Sequence, residues 1–172
     1  MKNFEISYLD KIKSTNDFCF DLIKKSISSN GIVFSDHQTK GRGRYGKKWI
    51  SKKGNVFCSI YKIAKNHEDI LKAQYSSLQI IKNYFLKLGL KKNDIKIKEP
   101  NDILIKNKKI SGILIESIKF KKKLFLVVGI GVNIVSSPKI KDYRTTFLNR
   151  FLKNKVQKIH FVNFLKKNIN NI

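Results

Sequence analysis

The sequence predicts an α+β protein: a mixed, mostly antiparallel β-sheet flanked by helices, with those helices on one side of the sheet. Three observations predict this class. Runs of β-branched and aromatic residues recur along the chain and are typical of strands. Some of these runs are joined by short polar turns, and adjacent hairpins favour antiparallel pairing. Other segments repeat apolar residues at helical spacing behind capping residues.

The N-terminal third predicts a helix, a strand, a loop and a second strand. Residues 14–17 have the capping-box pattern, and the apolar spacing that follows predicts a helix over about 16–25. The run 32–35 predicts a short strand that leads into a glycine-rich loop over 40–51. The run 55–61 has the composition of another strand. The loop is therefore expected to be held at both ends by strands.

A long helix and a short strand are predicted in the middle of the chain. Asn66 is a suitable N-cap, and the residues after it keep one helix face apolar as far as Gly89. The run 95–98 then predicts a strand. This strand must turn at Pro100, because proline cannot donate to a β-ladder and forces the residue before it into an extended conformation.

The last part of the chain predicts two hairpins and a helical end. The run 103–105 pairs with 110–120 in the first hairpin, and 110–120 returns into 124–134 in the second. Aromatic and aliphatic residues at helical intervals over 143–152 and 160–169 predict one or two closing helices. With no internal repeats or linkers, we expect a single domain over 1–172.

The composition indicates a folded protein with a large positive charge. Of 172 residues, 41% are hydrophobic and 28% charged, which is ordinary for a globular chain. The net charge of +25 comes from 37 Lys+Arg against 12 Asp+Glu. The electrostatic field of such a charge attracts polyanions, so one interpretation of the charge is that the protein is a nucleic-acid-binding module. The other is a compositional excess of lysine, which the even spread of lysine pairs along the chain favours.

Several functions find little support in the sequence. No apolar run is long enough to cross a bilayer, and the N-terminus lacks the apolar core of a signal peptide, so a cytoplasmic location is expected. Cys19 and Cys58 lie in apolar settings without metal-ligand or redox spacing, which predicts core thiols. The three histidines are isolated from one another, so a structural metal is not expected.

The glycine-rich loop contains the densest group of candidate binding residues. Its glycines can bring backbone N–H groups close to an anion, and Arg42, Arg44 and Lys47 add donors suited to phosphate or carboxylate. A solvated basic turn explains the same residues. The loop matches neither the P-loop nor the dinucleotide-binding pattern.

Three further stretches combine glycine with polar residues at predicted strand ends. Asn101 and Asp102 follow a strand and could orient a lysine or hold a magnesium-bound phosphate, although a simple turn would also use them. Lys109 begins a strand that contains Gly112, and glycine inside a strand suggests that something approaches the backbone closely. The stretch 129–133 repeats this pattern, and packing glycines would account for it equally well.

In this order and spacing, the stretches resemble the catalytic domain of the biotin protein ligase family. The matching motifs cover most of the first 135 residues of the chain. They are STN at 14–16, Gln38, GRGRYGKKW at 41–49, SxxGN at 51–55, PND at 100–102, KISGILxE at 109–116 and GIGVN at 129–133. The resemblance implies the fold that this family shares with class II aminoacyl-tRNA synthetases.

The resemblance also implies a reaction and a set of site residues. Biotin attacks the α-phosphate of ATP to give biotinyl-AMP, and a lysine of a biotin carboxyl carrier protein then takes the biotin. The catalytic residues implied are Lys109, Arg42 and Asp102, with Asp102 as a possible Mg²⁺ ligand. The biotin-binding residues implied are Ser14, Thr15, Asn16, Gln38, Gly41, Arg42 and Gly112. The nucleotide-binding residues implied are Arg44, Lys47, Trp49, Asn101, Lys109 and Asn133.

The sequence departs from the family pattern in three places. Glu99 stands where the family has tryptophan before PND, which places a carboxylate beside the expected site. Because the chain begins close to STN, a helix-turn-helix domain and specific DNA binding are not expected, and neither is the small C-terminal β domain of many relatives. No membrane partner is expected, and both a monomer and a homodimer stay open. A lipoate or octanoate ligase or transferase of the same superfamily, or a basic non-enzymatic protein, is the alternative.

Overall fold

A computed structural model of the chain describes residues 4–172. Over these residues the chain forms seven β-strands and three α-helices. The strands are β1 (Glu5–Ile12), β2 (Gly31–Gln38), β3 (Val56–Ala64), β4 (Ile95–Lys98), β5 (Asp102–Ile105), β6 (Lys108–Phe120) and β7 (Lys123–Val132). The helices are α1 (Thr15–Lys24), α2 (His67–Lys87) and α3 (Lys158–Asn168).

The strands form one sheet in the order β1-β2-β3-β7-β6-β5-β4. β1 and β2 run parallel, and every other neighbouring pair is antiparallel. The predicted class, a mixed and mostly antiparallel sheet flanked by helices, is confirmed.

The local signals for the first two helices are also confirmed. Ser14 caps α1 and its hydroxyl accepts a hydrogen bond from the Asp17 backbone, while Asn66 caps α2 and accepts one from the Asp69 backbone. These bonds satisfy N–H groups that the first turn of a helix cannot pair internally. α1 therefore begins beside the glycine-rich loop, with its first residues fixed in place.

The structure differs from the sequence interpretation in two places. β1 was not expected, and it lies at the sheet edge, paired with β2. Of the one or two closing helices expected, one forms as α3, and no helix forms over 143–152. Instead, Thr145 forms an isolated parallel bridge to Lys109, and only one 3₁₀ turn follows at Leu148–Arg150. The Thr146 N–H donates to the Lys109 carbonyl on β6, and the Leu148 N–H donates to the Asn133 carbonyl just after β7, so these N–H groups cannot form the bonds of a helix.

Helices cover both faces of the sheet, which corrects the expectation that they lie on one side. α2 and α3 pack on one face over a large core that contains the fully buried Phe85 and Phe161. α1 packs on the opposite face over a smaller core that contains Ile23, Tyr61 and Cys19. We refer to these as the core face and the α1 face.

Both cysteines are buried and unpaired with each other, as the sequence predicts. Burial raises the pKa of the Cys19 and Cys58 thiols well above the usual range, so they behave as apolar core residues. In the described part of the chain, no helix is both long and apolar enough to cross a membrane.

Candidate active site

A cavity of about 460 Å³ lies on the α1 face of the sheet. Glycines form its floor, and two of them, Gly112 and Gly131, are directly paired on β6 and β7. The Trp49 ring lies against this floor, because a Cβ added to Gly131 would be 2.4 Å from the ring. A Cβ at Gly129 would be 2.4 Å from the side chain of Asn16. The glycines are therefore needed for close approach rather than for backbone freedom.

Most of the residues singled out by the motifs surround this one cavity. Those that line it are Ser14, Thr15, Asn16, Gln38, Arg42, Arg44, Lys47, Trp49, Asn101, Asp102, Lys109 and Gly112. Gly41 and Asn133 are not among them. Gly41 is buried against the Trp49 carbonyl, and Asn133 lines a small second cavity that Trp49 and Lys109 also line.

A β-bulge directs Lys109 into the cavity. Between the pairs Ile103–Ser111 and Leu104–Lys109, β6 contains one extra residue, Ile110. In a strand with regular alternation, odd-numbered residues share one face, so Lys109 would lie on the core face with Ile113. The bulge interrupts this alternation at Ile110. Because of the bulge, Ile110 is buried in the core while Lys109 lines the cavity.

The Lys109 ammonium has one acidic and two aromatic neighbours. Its Nζ lies 2.8 Å from Asp102 Oδ1, and both side chains are largely shielded from solvent. The same Nζ lies 5.5 Å from the centre of the Trp49 ring and 5.3 Å from that of Tyr143. Burial and the nearby charge of Asp102 raise the pKa of Tyr143, so its hydroxyl stays protonated. The Lys109 side chain is thus held at a defined position, largely shielded from solvent, between one carboxylate and two aromatic rings.

A hydrogen-bond network joins the start of α1 to the sheet and the loop. The Thr15 N–H and hydroxyl both donate to Gln38 Oε1, at 2.9 and 3.1 Å. The Ser59 hydroxyl lies 2.7 Å from Thr15 Oγ1 and 2.5 Å from Asn16 Oδ1. The Gln38 amide donates to Ser51 Oγ at 3.4 Å. Ser59 did not stand out in the sequence, because one serine within a strand carries no distinguishing pattern.

The Arg42 guanidinium faces two carboxylates. Nη1 and Nη2 each lie 2.7 Å from one oxygen of Glu116, and Nη2 also lies 2.7 Å from Asp17 Oδ1. The hydrogen bond to Glu116 raises the pKa of Arg42, which keeps its charge. The contacts of Asp17 could not be read from the sequence. Glu116 belongs to a motif, but only the fold shows its partner.

The glycine-rich loop forms a small hairpin across the cavity. Arg42 bridges to Lys48, and the Trp49 N–H donates to the Gly41 carbonyl at 2.9 Å. Its turn contains Tyr45 at φ 54°, a left-handed conformation, and this ring is 85% exposed. Arg44 donates to Asn101 Oδ1 at 3.4 Å, which brings the loop to the turn before β5. The loop therefore contacts both sides of the cavity.

Glu99, the residue that departs from the family motif, lies on the side of the cavity formed by the turn before β5. Glu99 lines the cavity but its side chain is exposed, so it lies at the rim. Lys98 and Lys47 also line this part of the cavity and are exposed. The carboxylate of Glu99 is therefore in a solvated setting in which its charge is well screened.

The residues of the cavity fit a metal ion that is held mainly by phosphate. Within residues 4–172, no group of three or more His, Cys, Asp and Glu could hold a metal ion. Mg²⁺, however, commonly binds through one or two carboxylates together with substrate phosphates and water. Asp102 provides one carboxylate in the cavity, so it fits as a single protein ligand and not as part of an all-protein cage.

The sheet, its glycine floor and the loop together have the fold of biotin protein ligases. A biotin protein ligase from Leishmania major, solved in complex with biotin, superposes with a TM-score of 0.82 at 24% identity. The match covers 95% of this chain and 72% of that one. At this identity the similarity establishes the fold alone.

The chain belongs to the biotin/lipoate A/B protein ligase family, whose model matches residues 8–133. Biotin–protein ligase 2 of Arabidopsis thaliana is 36% identical over 134 residues, which are 74% of this chain and 38% of that protein. The biotin protein ligase of Aquifex aeolicus, solved with biotin and ATP, has a TM-score of 0.71 at 27% identity. That match covers 97% of this chain and 69% of the other. The chain spans less than half the length of its Arabidopsis relatives.

Proposed function

We propose that this chain is the catalytic domain of an ATP-dependent biotin protein ligase. It would activate biotin as biotinyl-AMP and transfer the biotin to a lysine of a biotin carboxyl carrier protein. Family membership and relatives that are named biotin–protein ligases support this function. The observation that carries it is Lys109, which a β-bulge turns into a glycine-floored cavity beside Asp102 and Trp49.

The first reaction joins two anions. A carboxylate oxygen of biotin forms a bond to the α-phosphorus of ATP, and the bond from that phosphorus to the oxygen leading to the β-phosphate breaks, which releases pyrophosphate. Mutual repulsion opposes this approach, so a fixed cation that contacts both reactants lowers the barrier. We assign this role to Lys109. Its position is already set by Asp102, so little reorganisation is needed when the substrates bind.

In the second reaction the acceptor lysine attacks the carbonyl carbon of the mixed anhydride. The amine forms an amide bond, loses a proton, and AMP leaves. The anhydride must be shielded from water until the acceptor arrives. The hairpin at 41–49 lies across the cavity and could provide this shield.

We divide the candidate site residues into a group that would bind biotin, the biotin end, and a group that would bind ATP, the nucleotide end. We assign Ser14, Thr15, Asn16, Gln38, Gly41 and Gly112 to the biotin end, and Arg44, Lys47, Trp49, Asn101 and Asn133 to the nucleotide end. Mg²⁺ bound to phosphate would neutralise charge on ATP, and Asp102 is its proposed protein ligand. Arg42 would hold the residues of the biotin end in place, since its guanidinium is paired with Glu116 and Asp17.

The function can be tested by mass spectrometry of the small molecules formed. Purified protein is incubated with ATP, Mg²⁺ and either biotin or lipoate, and we expect biotinyl-AMP and pyrophosphate with biotin only. Formation of lipoyl-AMP alone would favour the lipoate branch of the family. If no adenylate forms and the protein binds polyanions in a salt-dependent way, the basic non-enzymatic alternative is supported instead.

The second half-reaction needs a separate test. A purified biotin carboxyl carrier domain is added with biotin and ATP, and we expect a mass gain of one biotin that is lost when the acceptor lysine is replaced. Action as a single catalytic domain, a cytoplasmic location and the absence of specific DNA binding stay predictions. The oligomeric state stays open between monomer and homodimer.

A further inference from the structure

Arg42 lies at the base of the glycine-rich hairpin and makes three short contacts with acidic groups. Two of them run in parallel to the two oxygens of Glu116, and the third goes to Asp17, each at 2.7 Å. This two-pronged geometry needs a planar guanidinium, so a lysine could not reproduce it. The contact therefore fixes both the position and the orientation of Arg42.

The charges in this group argue against a direct role for Arg42 in attracting anions. The chain has only 12 acidic residues against 37 basic ones, yet two of the acidic residues converge on one arginine. One positive and two negative charges leave the group with a net charge of −1. The charge of the Arg42 guanidinium is thus already balanced by its protein partners, which fits a role in positioning.

The elements joined at Arg42 are those that build the biotin end of the cavity. Asp17 lies in the first turn of α1, and Glu116 lies on β6. Glu116 Oε2 also accepts a hydrogen bond from the Asn16 amide at 2.8 Å. One carboxylate therefore connects the hairpin, the start of α1 and the sheet.

The position of Arg42 also determines where Trp49 lies. Arg42 bridges to Lys48 across the hairpin, and the next residue, Trp49, is hydrogen-bonded to Gly41. The Trp49 ring rests on Gly131, where an added Cβ would be 2.4 Å away. Without the pair between Arg42 and Asp17, no ion pair of the described residues would join the hairpin to α1, and the Trp49 ring could move away from Gly131.

We propose that Glu116 and Asp17 are positioning residues that dock the glycine-rich hairpin onto the sheet through Arg42. The identity of the ligand rests on the proposed function, but the docking does not. Among the described residues, Lys109 pairs with Asp102 and forms no ion pair with this group, although its ammonium lies 5.5 Å from the Trp49 ring. Loss of docking therefore weakens the binding of biotin and, through the residues of the hairpin, of ATP, while the chemical step on bound substrates changes less.

Trp49 is the only tryptophan in the chain, so its fluorescence reports how accessible the ring is to solvent, and therefore whether the hairpin is docked, without any substrate. We compare acrylamide quenching in the wild type, Glu116→Gln, Asp17→Asn and Arg42→Lys. The control is Glu68→Gln, which removes an exposed pair with Lys72 on α2. We expect the quenching constant to rise about twofold in Glu116→Gln and Arg42→Lys, less in Asp17→Asn, and not at all in the control.

Quenching equal to that of the wild type in folded Glu116→Gln would overturn the proposal. Far-UV circular dichroism establishes that each variant is folded. If Glu116→Gln does not fold, Asp17→Asn decides the question, because its side chain is half exposed and its loss leaves the core intact. Unchanged quenching in that variant would then count against docking.

Kinetics separate docking from a purely structural effect. With the biotin-dependent formation of adenylate as the assay, Glu116→Gln should raise KM for biotin about tenfold and change kcat less than about threefold. A fall in kcat with unchanged KM would contradict the proposal. If no variant, including the wild type, uses biotin, the proposed function fails while the quenching experiment still tests the docking.

Discussion

β6 and β7 carry opposite properties on their two faces. On the core face, Ile113 and Ile130 pair across the strands and are buried beneath α2 and α3. On the α1 face, one residue away, Gly112 pairs with Gly131 and leaves room for a ring and a ligand. The alternation of side chains thus separates residues that stabilise the core from residues that form the site within the same two strands.

Because the two faces have different roles, the strands tolerate glycines at the site, although glycine is a weak strand former. Glycine within a strand contributes no side chain to packing and weakens the strand. The opposite face offsets this loss, because its aliphatic side chains are almost completely removed from water. Substitutions on the α1 face should therefore change activity more than stability, and those on the core face should do the reverse.

The largest effect on activity is expected for Lys109→Met. Methionine keeps the apolar part of the side chain but removes the cation, so kcat should fall about a hundredfold, or about 3 kcal/mol. Stability should fall by a smaller amount, about 1–2 kcal/mol, because the largely shielded Asp102 carboxylate loses its charged partner. The rate of adenylate formation and the thermal midpoint measure the two effects. A variant with unchanged kcat would remove Lys109 from the proposed mechanism.

The converse is expected for Leu126→Ala on the core face of β7. Removing a fully buried leucine leaves a cavity in the core, so the free energy of unfolding should fall by about 3 kcal/mol. KM for biotin and kcat of the folded protein should stay within about twofold of the wild type, since Leu126 belongs to the large core and does not line the site. Urea unfolding and steady-state kinetics give the two values. A large rise in KM would show that the two faces are coupled.

A smaller effect is expected for Gly131→Ala. The added methyl group would lie 2.4 Å from the Trp49 ring, so the ring must move away from the sheet. We expect KM for the substrates to rise about tenfold, or about 1.4 kcal/mol. Thermal unfolding should show little loss of stability, because alanine is a better strand residue than glycine.

The matched control for this substitution is Ser117→Ala, at an exposed position of β6. It changes a side chain on the same hairpin without approaching Trp49, and KM should stay at the wild-type value. If both variants raise KM equally, the effect belongs to the strand rather than to the contact with the ring.

The fold could be predicted where its signals are local. The caps and apolar spacing of α1 and α2 lie within one or two turns of the chain, so these helices were found. Of the two segments that could form closing helices, 143–152 does not, although its apolar spacing is helical, because its N–H groups donate to the carbonyls of Lys109 and Asn133. β1 was missed because its residues are mostly exposed, and a parallel edge strand leaves only a weak pattern.

The candidate site shows the same limit. Motif residues could be named from the resemblance, and the fold gathers most of them around one cavity. Two features depend on contacts that no local pattern reports. The extra residue Ile110 turns Lys109 from the core face to the cavity, and the partner of Arg42 on β6 lies 74 residues away along the chain. Whether an arginine faces a ligand or a carboxylate is decided by such distant contacts.

The smallest effect is expected when positive charge is removed far from the cavity. Lys121 and Lys122 form the turn between β6 and β7, and both have positive φ. Eight residues separate Gly112 from Phe120 at the end of β6, which at about 3.3 Å per residue is about 26 Å. This exceeds the Debye length of about 8 Å at physiological ionic strength, so the charge of the turn is screened at the site.

The double variant Lys121→Gln/Lys122→Gln should therefore keep kcat and KM for biotin within about twofold of the wild type. Lys121 donates to Ser26 and its ammonium lies over the Phe120 ring, but these contacts are exposed and should be worth less than about 0.5 kcal/mol. Adenylate formation is measured at low and physiological salt. A loss of activity that appears only at low salt would show that the net charge of +25 acts through its long-range field. A loss at both salt concentrations would instead place this turn in contact with a substrate or acceptor.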